Sequence, residues 1–413
     1  MQLTHSPRYK LAIISMAFLA VFGAIGFGRF GYSAVLPSMQ KALGLSGGAS
    51  GSLASWNFAG YTLMATIGSL LAARFGPRRV VSIGLVGAAA GMLVTGLSNG
   101  LASASAGRML TGMGSGMVLV PCLALISMWF GERRRGTASA IVASGPCLAL
   151  VLVGPIVPRL IAGGGADGWR IAWYFFAAVT TLMAVLASIV LRDRPHDPSA
   201  AEGEPSPVGR WAGSLDLKEI LRSRYAWHLG TVYMLYGFAF MIFFTFFQKR
   251  LIADLGFSSD AAGNLFLIVG VAGLAGGVIV GMFSDRIGRG RAIAVACLLD
   301  ALAAFLFTFW PSLPVLVIAS AIFGVSAFGI PGLVGAACGD KFGAVLATAS
   351  LGFVTIFIGV GQGVGPYVAG RMEDAFSSLG PSYLLSAGLF VAAALSALFL
   401  RRGSPAQSVA ECD

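Results

Sequence analysis

Apolar residues in this chain gather in long runs broken by short polar stretches. A membrane-crossing helix needs about 20 predominantly apolar residues. Twelve runs come close to that length, near 11–37, 49–72, 80–98, 101–128, 137–161, 169–191, 225–248, 259–283, 291–310, 313–337, 343–370 and 382–400. The first contains Arg29, is longer than a signal-peptide core and lacks a small-residue cleavage site. It therefore reads as a retained helix. One long polar interruption, 192–224, opens RDRPHDPSAAEGEPSP and reads as a flexible linker. The pattern predicts an all-α membrane protein of twelve transmembrane helices in two pseudo-symmetric six-helix bundles. The bundles occupy 1–191 and 225–413, with the linker at 192–224 between them.

Composition supports this. Of 413 residues 57% are apolar and 11% are charged, against about 25% charged in a soluble domain. The 57 glycines suit close helix contact in a bilayer. A net charge of +11 raises the question of a nucleic-acid partner, which the placement of the charges argues against. With the N-terminus inside, Arg8, Lys10, Arg74, Arg78, Arg79, Arg133, Arg134, Arg135, six linker residues, Arg286, Arg289, Arg291, Lys341, Arg401 and Arg402 all fall on the cytoplasmic side. Only Lys41, Arg159, Arg170, Lys249, Arg250 and Arg371 fall outside. By the positive-inside rule both termini are cytoplasmic, in a bacterial inner membrane, and the basic charge is mostly topological. Of the five cysteines, four sit in apolar stretches and none forms a CxxC pair, so neither disulfide nor metal is expected.

The halves repeat. RFGPRR at 74–79 matches RIGRGR at 286–291, and VGPIV at 153–157 matches VGPYV at 364–368, at nearly the same offset. The stretch from Gly281 through Asp285 and Arg286 to Gly288 and Arg289 resembles the signature loop of the major facilitator superfamily, G-x-L-x-D-R-x-G-R. Arg108 followed by Gly112, Gly114 and Gly116 is similar to that family's fourth-helix pattern, and Gly145, Gly154 and Pro155 to part of its glycine–proline motif. GFGRFGYSAVLPSM in span 1 and YGFAFMIFFTFF in span 7 look most like the YbfB/YjiJ-like branch, with the monocarboxylate and oxalate/formate carriers as rival resemblance. The resemblance implies the major facilitator fold and a secondary transporter working by alternating access. It also implies gating at the signature loops, through Asp285, Arg286 and Arg289 and, in the first copy, Arg74. That first copy has Ala73 at the Asp position and Ser69 at the first Gly, which leaves its latch incomplete.

Intramembrane charges are costly and mark function by default. Arg29, Arg108 and Asp300 lie well inside the runs. At 1.5 Å per residue, Arg29, Arg108 and Asn57 fall about 10–12 Å deep. The resemblance puts all three on cavity-lining helices. Two guanidinium groups without a nearby acid suit a small organic anion such as a monocarboxylate. The opposite reading has Arg108 bonded to helix carbonyls. Tyr61, Tyr233, Tyr236, Asn264 and Gln362 are further candidate lining residues. Asp300 is either a proton-coupling carboxylate or a structural tie to a neighbouring helix. Phe243–Phe247 and Phe305–Trp310 read as lipid-facing or interfacial.

His5, His196 and His228 assemble no catalytic set, and no GxxxxGK[ST] loop occurs. A non-enzyme without cofactors is expected, driven by an ion gradient or exchange. Its partners would be a small, anionic solute and membrane lipid, with no nucleic acid, and it would act as a monomer. An exporter of hydrophobic compounds and a transport-inactive sensor stand as alternatives.

Overall fold

The structure, a computed structural model, describes residues 7–130, 132–193 and 214–400. Its long helices are α1 (Arg8–Leu43), α2 (Gly47–Phe75), α3 (Pro77–Gly96), α4 (Leu101–Trp129), α5 (Gly145–Gly164), α6 (Gly168–Val190), α7 (Arg224–Thr245), α8 (Ser259–Ile287), α9 (Arg289–Phe309), α10 (Leu313–Gly343), α11 (Ala349–Phe376) and α12 (Gly380–Leu398). Among the described residues, 11 helical runs are long and apolar enough to cross a membrane. One of them, Arg134–Val190, has 57 residues. At 1.5 Å per residue it would reach about 85 Å if straight, well beyond one bilayer. It reverses at the 3₁₀ turn Gly165–Asp167, and α6 packs back on α5. That run therefore makes two crossings, and the expected all-α class and twelve helices are found. Most of the expected linker, 194–213, lies outside the described residues, as do His5, His196, Arg401 and Arg402.

The repeat is visible in backbone detail. Gly44 and Gly256 both have positive φ, 58° and 71°. Ser46 and Ser258 each cap the next helix, accepting from Ala49 N at 3.1 Å and Ala261 N at 3.2 Å. The capped helices, α2 and α8, have 29 residues each. Both end on glycines in matching conformations, Gly76 (φ 87°) and Gly288 (φ 90°). Each pair is separated by the offset of the RFGPRR and RIGRGR matches. A residue with a Cβ would be strained at these turns, so turn chemistry places the same bends in both halves.

Apolar side chains line the outside as well as the interior. Leu63, Ile83, Leu182, Val278, Ile318 and Leu395 are exposed, as a lipid-facing surface requires. Phe305, Phe309 and Trp310 are exposed as expected, but Phe307, Phe243, Phe244, Phe246 and Phe247 are buried. The lipid-facing reading of these five rings is corrected. α7 is packed between α11 and α12, and its rings meet Phe266, Phe307, Phe323 and Tyr383.

The halves meet along α2 with α11 and α5 with α8. Backbone touches backbone there. A Cβ on Gly51 would fall 2.1 Å from Pro366 O, and one on Gly154 would fall 2.3 Å from Gly263 O. α2 is largely buried from Gly47 to Gly60 and mostly exposed from Tyr61 to Phe75. The halves are thus closed against each other at the Gly47 end and part toward the Arg74 end.

Candidate functional site

α1 is not a regular helix. Phe22–Phe30 forms a π-helical segment, whose wider turns bond each carbonyl five residues on rather than four. Side chains from neighbouring helices add further donors to these carbonyls. Ser115 Oγ donates to Ala24 O at 2.7 Å, Thr180 Oγ1 to Gly23 O at 3.4 Å, and Arg108 Nη1 to Gly28 O. Arg108 also donates through Nε to Leu53 O at 3.4 Å, and lies over the rings of Tyr32 (4.6 Å) and Trp173 (5.5 Å). It is 1% exposed. The glycines that follow Arg108 let helices touch: Gly112 meets the backbone of Asn57, Gly114 that of Ala88, and Gly116 that of Tyr61 and Ala65. Asn57 Nδ2 donates to Arg108 O at 3.1 Å. Arg108 and Asn57 are therefore joined, and both brace the α1–α2–α4 junction.

Arg29 has different surroundings. It leaves the same π segment on the side of α2, and its guanidinium sits 4.3 Å from the Phe58 ring centroid and 4.4 Å from that of Tyr61. Its Nε and Nη2 are buried and have no hydrogen-bond partner. A guanidinium carries five N–H donors in a planar fork, and unfilled donors in a low-dielectric interior are expensive. Two aromatic faces give part of the compensation. Nε and Nη2 are left without a partner from the protein.

Other predicted residues converge here from the second half. Gly363 on α11 approaches Phe58, and its neighbour Gln362 packs against Gly237 of α7. Tyr233 and Tyr236 stack on that helix with centroids 5.9 Å apart and planes 5° from parallel. Tyr236 Oη donates to Ala327 O at 2.7 Å. Ala327 is followed four residues later by Pro331, which has no N–H to give, so the tyrosine replaces a missing helix bond. Asn264 is exposed near the start of α8, and no hydrogen bond links it to this group among the described residues. Asp300 is fully buried on α9 and accepts from Ser326 Oγ of α10.

The signature loop lies at the Arg74 end. Arg289 donates to Asp285 Oδ1 (2.7 Å), to Asp340 Oδ2 (2.9 Å) and to Ser284. These bonds tie α8, α9 and α10 of one half together. Arg286 is exposed. In the first copy Arg74 lies over the Phe75 ring at 5.2 Å. The acid missing at Ala73 has a counterpart elsewhere: Asp193, just after α6, accepts from Arg78 N at 2.7 Å, at the start of α3.

Sequence reading missed the buried charges at the Gly47 end. Lys249 and Arg250 were placed in an outer loop, yet they are 5% and 6% exposed. A short π-helical turn, Arg250–Asp254, carries the chain inward. Lys249 pairs with Glu373, and Arg250 with Asp254 at 2.8 Å. Asp374 accepts from Gly47 N (2.6 Å) and Gly48 N (2.8 Å) of the opposite half. The signal available was acids and bases flanking the ends of spans, but their pairing requires the tertiary arrangement.

A family model described as Major Facilitator Superfamily matches residues 17–366 and 233–411. The chain is 24% identical over 409 residues to a phosphoglycerate transporter protein of Salmonella typhimurium, covering 92% of this chain and 87% of that one. It is 24% identical to a hexuronate transporter of Bacillus subtilis over 97% of this chain and 98% of the other. It is 27% identical to human monocarboxylate transporter 11 over 82% and 72%. Among solved structures, a bacterial homologue of the human lysosomal transporter Spinster, inward-facing and unoccupied, superposes with a TM-score of 0.72 at 17% identity, covering 96% of each chain. With twelve apolar helices in repeated halves and a family match spanning most of its length, this chain belongs to the Major Facilitator Superfamily.

Proposed function

We propose that this chain carries a small carboxylate-bearing anion across a bacterial cytoplasmic membrane by alternating access, driven by an ion gradient or by exchange. The observation behind this reading is Arg29, a guanidinium held between Phe58 and Tyr61 with two buried donors unfilled. A carboxylate accepts from such a fork with two parallel hydrogen bonds. Relatives named for phosphoglycerate, hexuronate, tartrate and monocarboxylate transport point to the same ligand chemistry. Tyr61, Tyr233 and Gln362 would complete the site, with Arg108 and Asn57 setting the backbone from which Arg29 projects.

In this reading residues 1–191 and 225–413 are the moving halves, and the parted Arg74 end faces the cytoplasm, where the basic loops cluster. The Asp285–Arg289–Asp340 set holds the second half rigid on that side, with Arg286 and Arg74 free to meet the other half when that side closes.

The test is a thermal-stability panel of purified protein with lactate, glucuronate, tartrate and 3-phosphoglycerate, each beside a neutral amide or alcohol analogue. A ligand at 100 times its dissociation constant adds about 2.7 kcal/mol. Arg29→Lys keeps the charge and loses the fork, so it should weaken binding, and Arg29→Gln should weaken it further. Stabilisation by the neutral analogues, or by none of the anions, would defeat this reading.

A further inference from the structure

Asp300 is 0% exposed. One carboxyl oxygen accepts from Ser326 Oγ of α10, and the other, Oδ2, has no hydrogen-bond partner. Among the described residues no Lys, Arg or His forms a salt bridge with it. The titratable groups in electrostatic contact with it are Tyr236 on α7 and Cys297 on its own helix. α10 contributes the Ser326 hydroxyl. From α8 and α12, which also pack on α9, no charged side chain forms a salt bridge with it among the described residues. An ionised carboxylate with no cation beside it is among the costliest groups a membrane interior can hold. A carboxyl buried in this way is held more cheaply as the acid than as the ion.

A path of direct contacts links this acid to Arg29. Ser326 is the penultimate residue of a helical stretch that stops at Ala327 and resumes at Ile330. The break carries Phe328, whose ring meets Phe240 and Phe244 of α7 and, edge-on at 6.0 Å, Phe30 of the opposite half. Phe30 is the residue after Arg29 and closes the π segment. The ring that follows Arg29 in the chain thus bears on the helix break, and Ser326, two residues before Phe328, holds the acid. Broken helices are the points where membrane helices change shape most cheaply.

We propose that Asp300 is the proton site of this carrier, with Phe30 and Phe328 coupling its exposure to occupancy of Arg29. This rests on the transport reading above. When the halves change facing, the Phe328 break moves, Ser326 withdraws, and water reaches the carboxyl. The acid then gives its proton to that water and becomes a carboxylate. It takes a proton back from the opposite side before it is buried again, so one proton crosses with each anion.

The experiment uses full-length protein in vesicles loaded with a pH-reporting dye, offered lactate, glucuronate, tartrate or 3-phosphoglycerate. Labelled-anion counterflow is measured in parallel. The wild type should show both counterflow and anion-dependent internal acidification. Asp300→Asn, nearly isosteric, should lose acidification to the level of protein-free vesicles and keep counterflow. Ser326→Ala should shift the pH dependence of acidification, and Phe328→Ala should lower the protons moved per anion with Asp300 intact. Unchanged acidification in Asp300→Asn would reduce the residue to a structural tie. If Asp300→Asn loses counterflow, Asp300→Glu decides: restored counterflow and acidification support the proton site, and restored counterflow alone overturns it. Acidification that follows a sodium gradient instead, or wild-type counterflow with no acidification, also overturns it while leaving the anion reading standing. Absence of counterflow with all four anions removes both.

Discussion

Asp374 on α11 caps the first turn of α2 in the opposite half, its two carboxylate oxygens 2.6 and 2.8 Å from the Gly47 and Gly48 amides. Negative charge at a helix N-terminus is stabilised by the unpaired N–H groups and the helix dipole. Because the two partners lie in different halves, this bond must break whenever that end opens. Asp374 is itself exposed, so screening brings the contribution of this charged contact to about 1 kcal/mol, enough to tilt a two-state equilibrium about fivefold. Asp374→Asn should populate the alternative facing state. Spin labels at the exposed positions Lys41 and Asp260 should report a longer distance in the variant. An unchanged distribution would mean that the Gly51–Pro366 and Gly154–Gly263 backbone contacts alone keep this end shut.

The two intramembrane arginines should behave differently. Arg108→Gln removes the bonds from a charged donor to Gly28 O and Leu53 O inside the bundle, and a hydrogen bond from a charged group contributes about 1.5–3 kcal/mol. Its thermal midpoint should fall clearly. Arg29→Gln removes a group whose donors are unfilled, so stability should hold while anion binding is lost. Equal loss of stability in both variants would show that Arg29 is also a tether.

The Arg289 cluster should matter little for stability. Its side-chain exposures are 27% for Arg289, 65% for Asp285 and 60% for Asp340, and exposed ion pairs are worth about 0–1 kcal/mol. Asp285→Asn should therefore leave the unfolding midpoint within a degree or two of wild type. Cysteine accessibility of the Arg74 end should still shift between states if the loop gates. A large drop in midpoint would contradict this assignment of the bonds.

Reporter fusions after residue 205 and at the C-terminus should both report cytoplasm, as the basic asymmetry requires. A periplasmic signal from either would invert the assignment of the parted Arg74 end.

The runs of apolar residues by themselves determined the helix count, because a bilayer forces each crossing to be long, apolar and internally hydrogen-bonded. The repeat was also legible. Gly76 and Gly288 occupy turns that need positive φ, so the residue type records the bend. Arg29, Arg108 and Asp300 stood out because charge in an apolar run is conspicuous in any context. Their roles were not legible. Depth along a helix put Arg29, Arg108 and Asn57 at one level, but in the structure Arg29 leaves the π segment of α1 toward Phe58 and Tyr61 while Gly28 O of that segment engages Arg108. The segment packs against α4, α5 and α6, contacts that one-dimensional periodicity does not encode. For the same reason Lys249 and Arg250 read as charges outside the membrane: a buried ion pair is defined by its partner, and Lys249 and Glu373 lie 124 residues apart. Sequence determined which groups are expensive to bury; tertiary structure decided which of them received a partner and which, like Arg29 and Asp300, retained unfilled polar atoms.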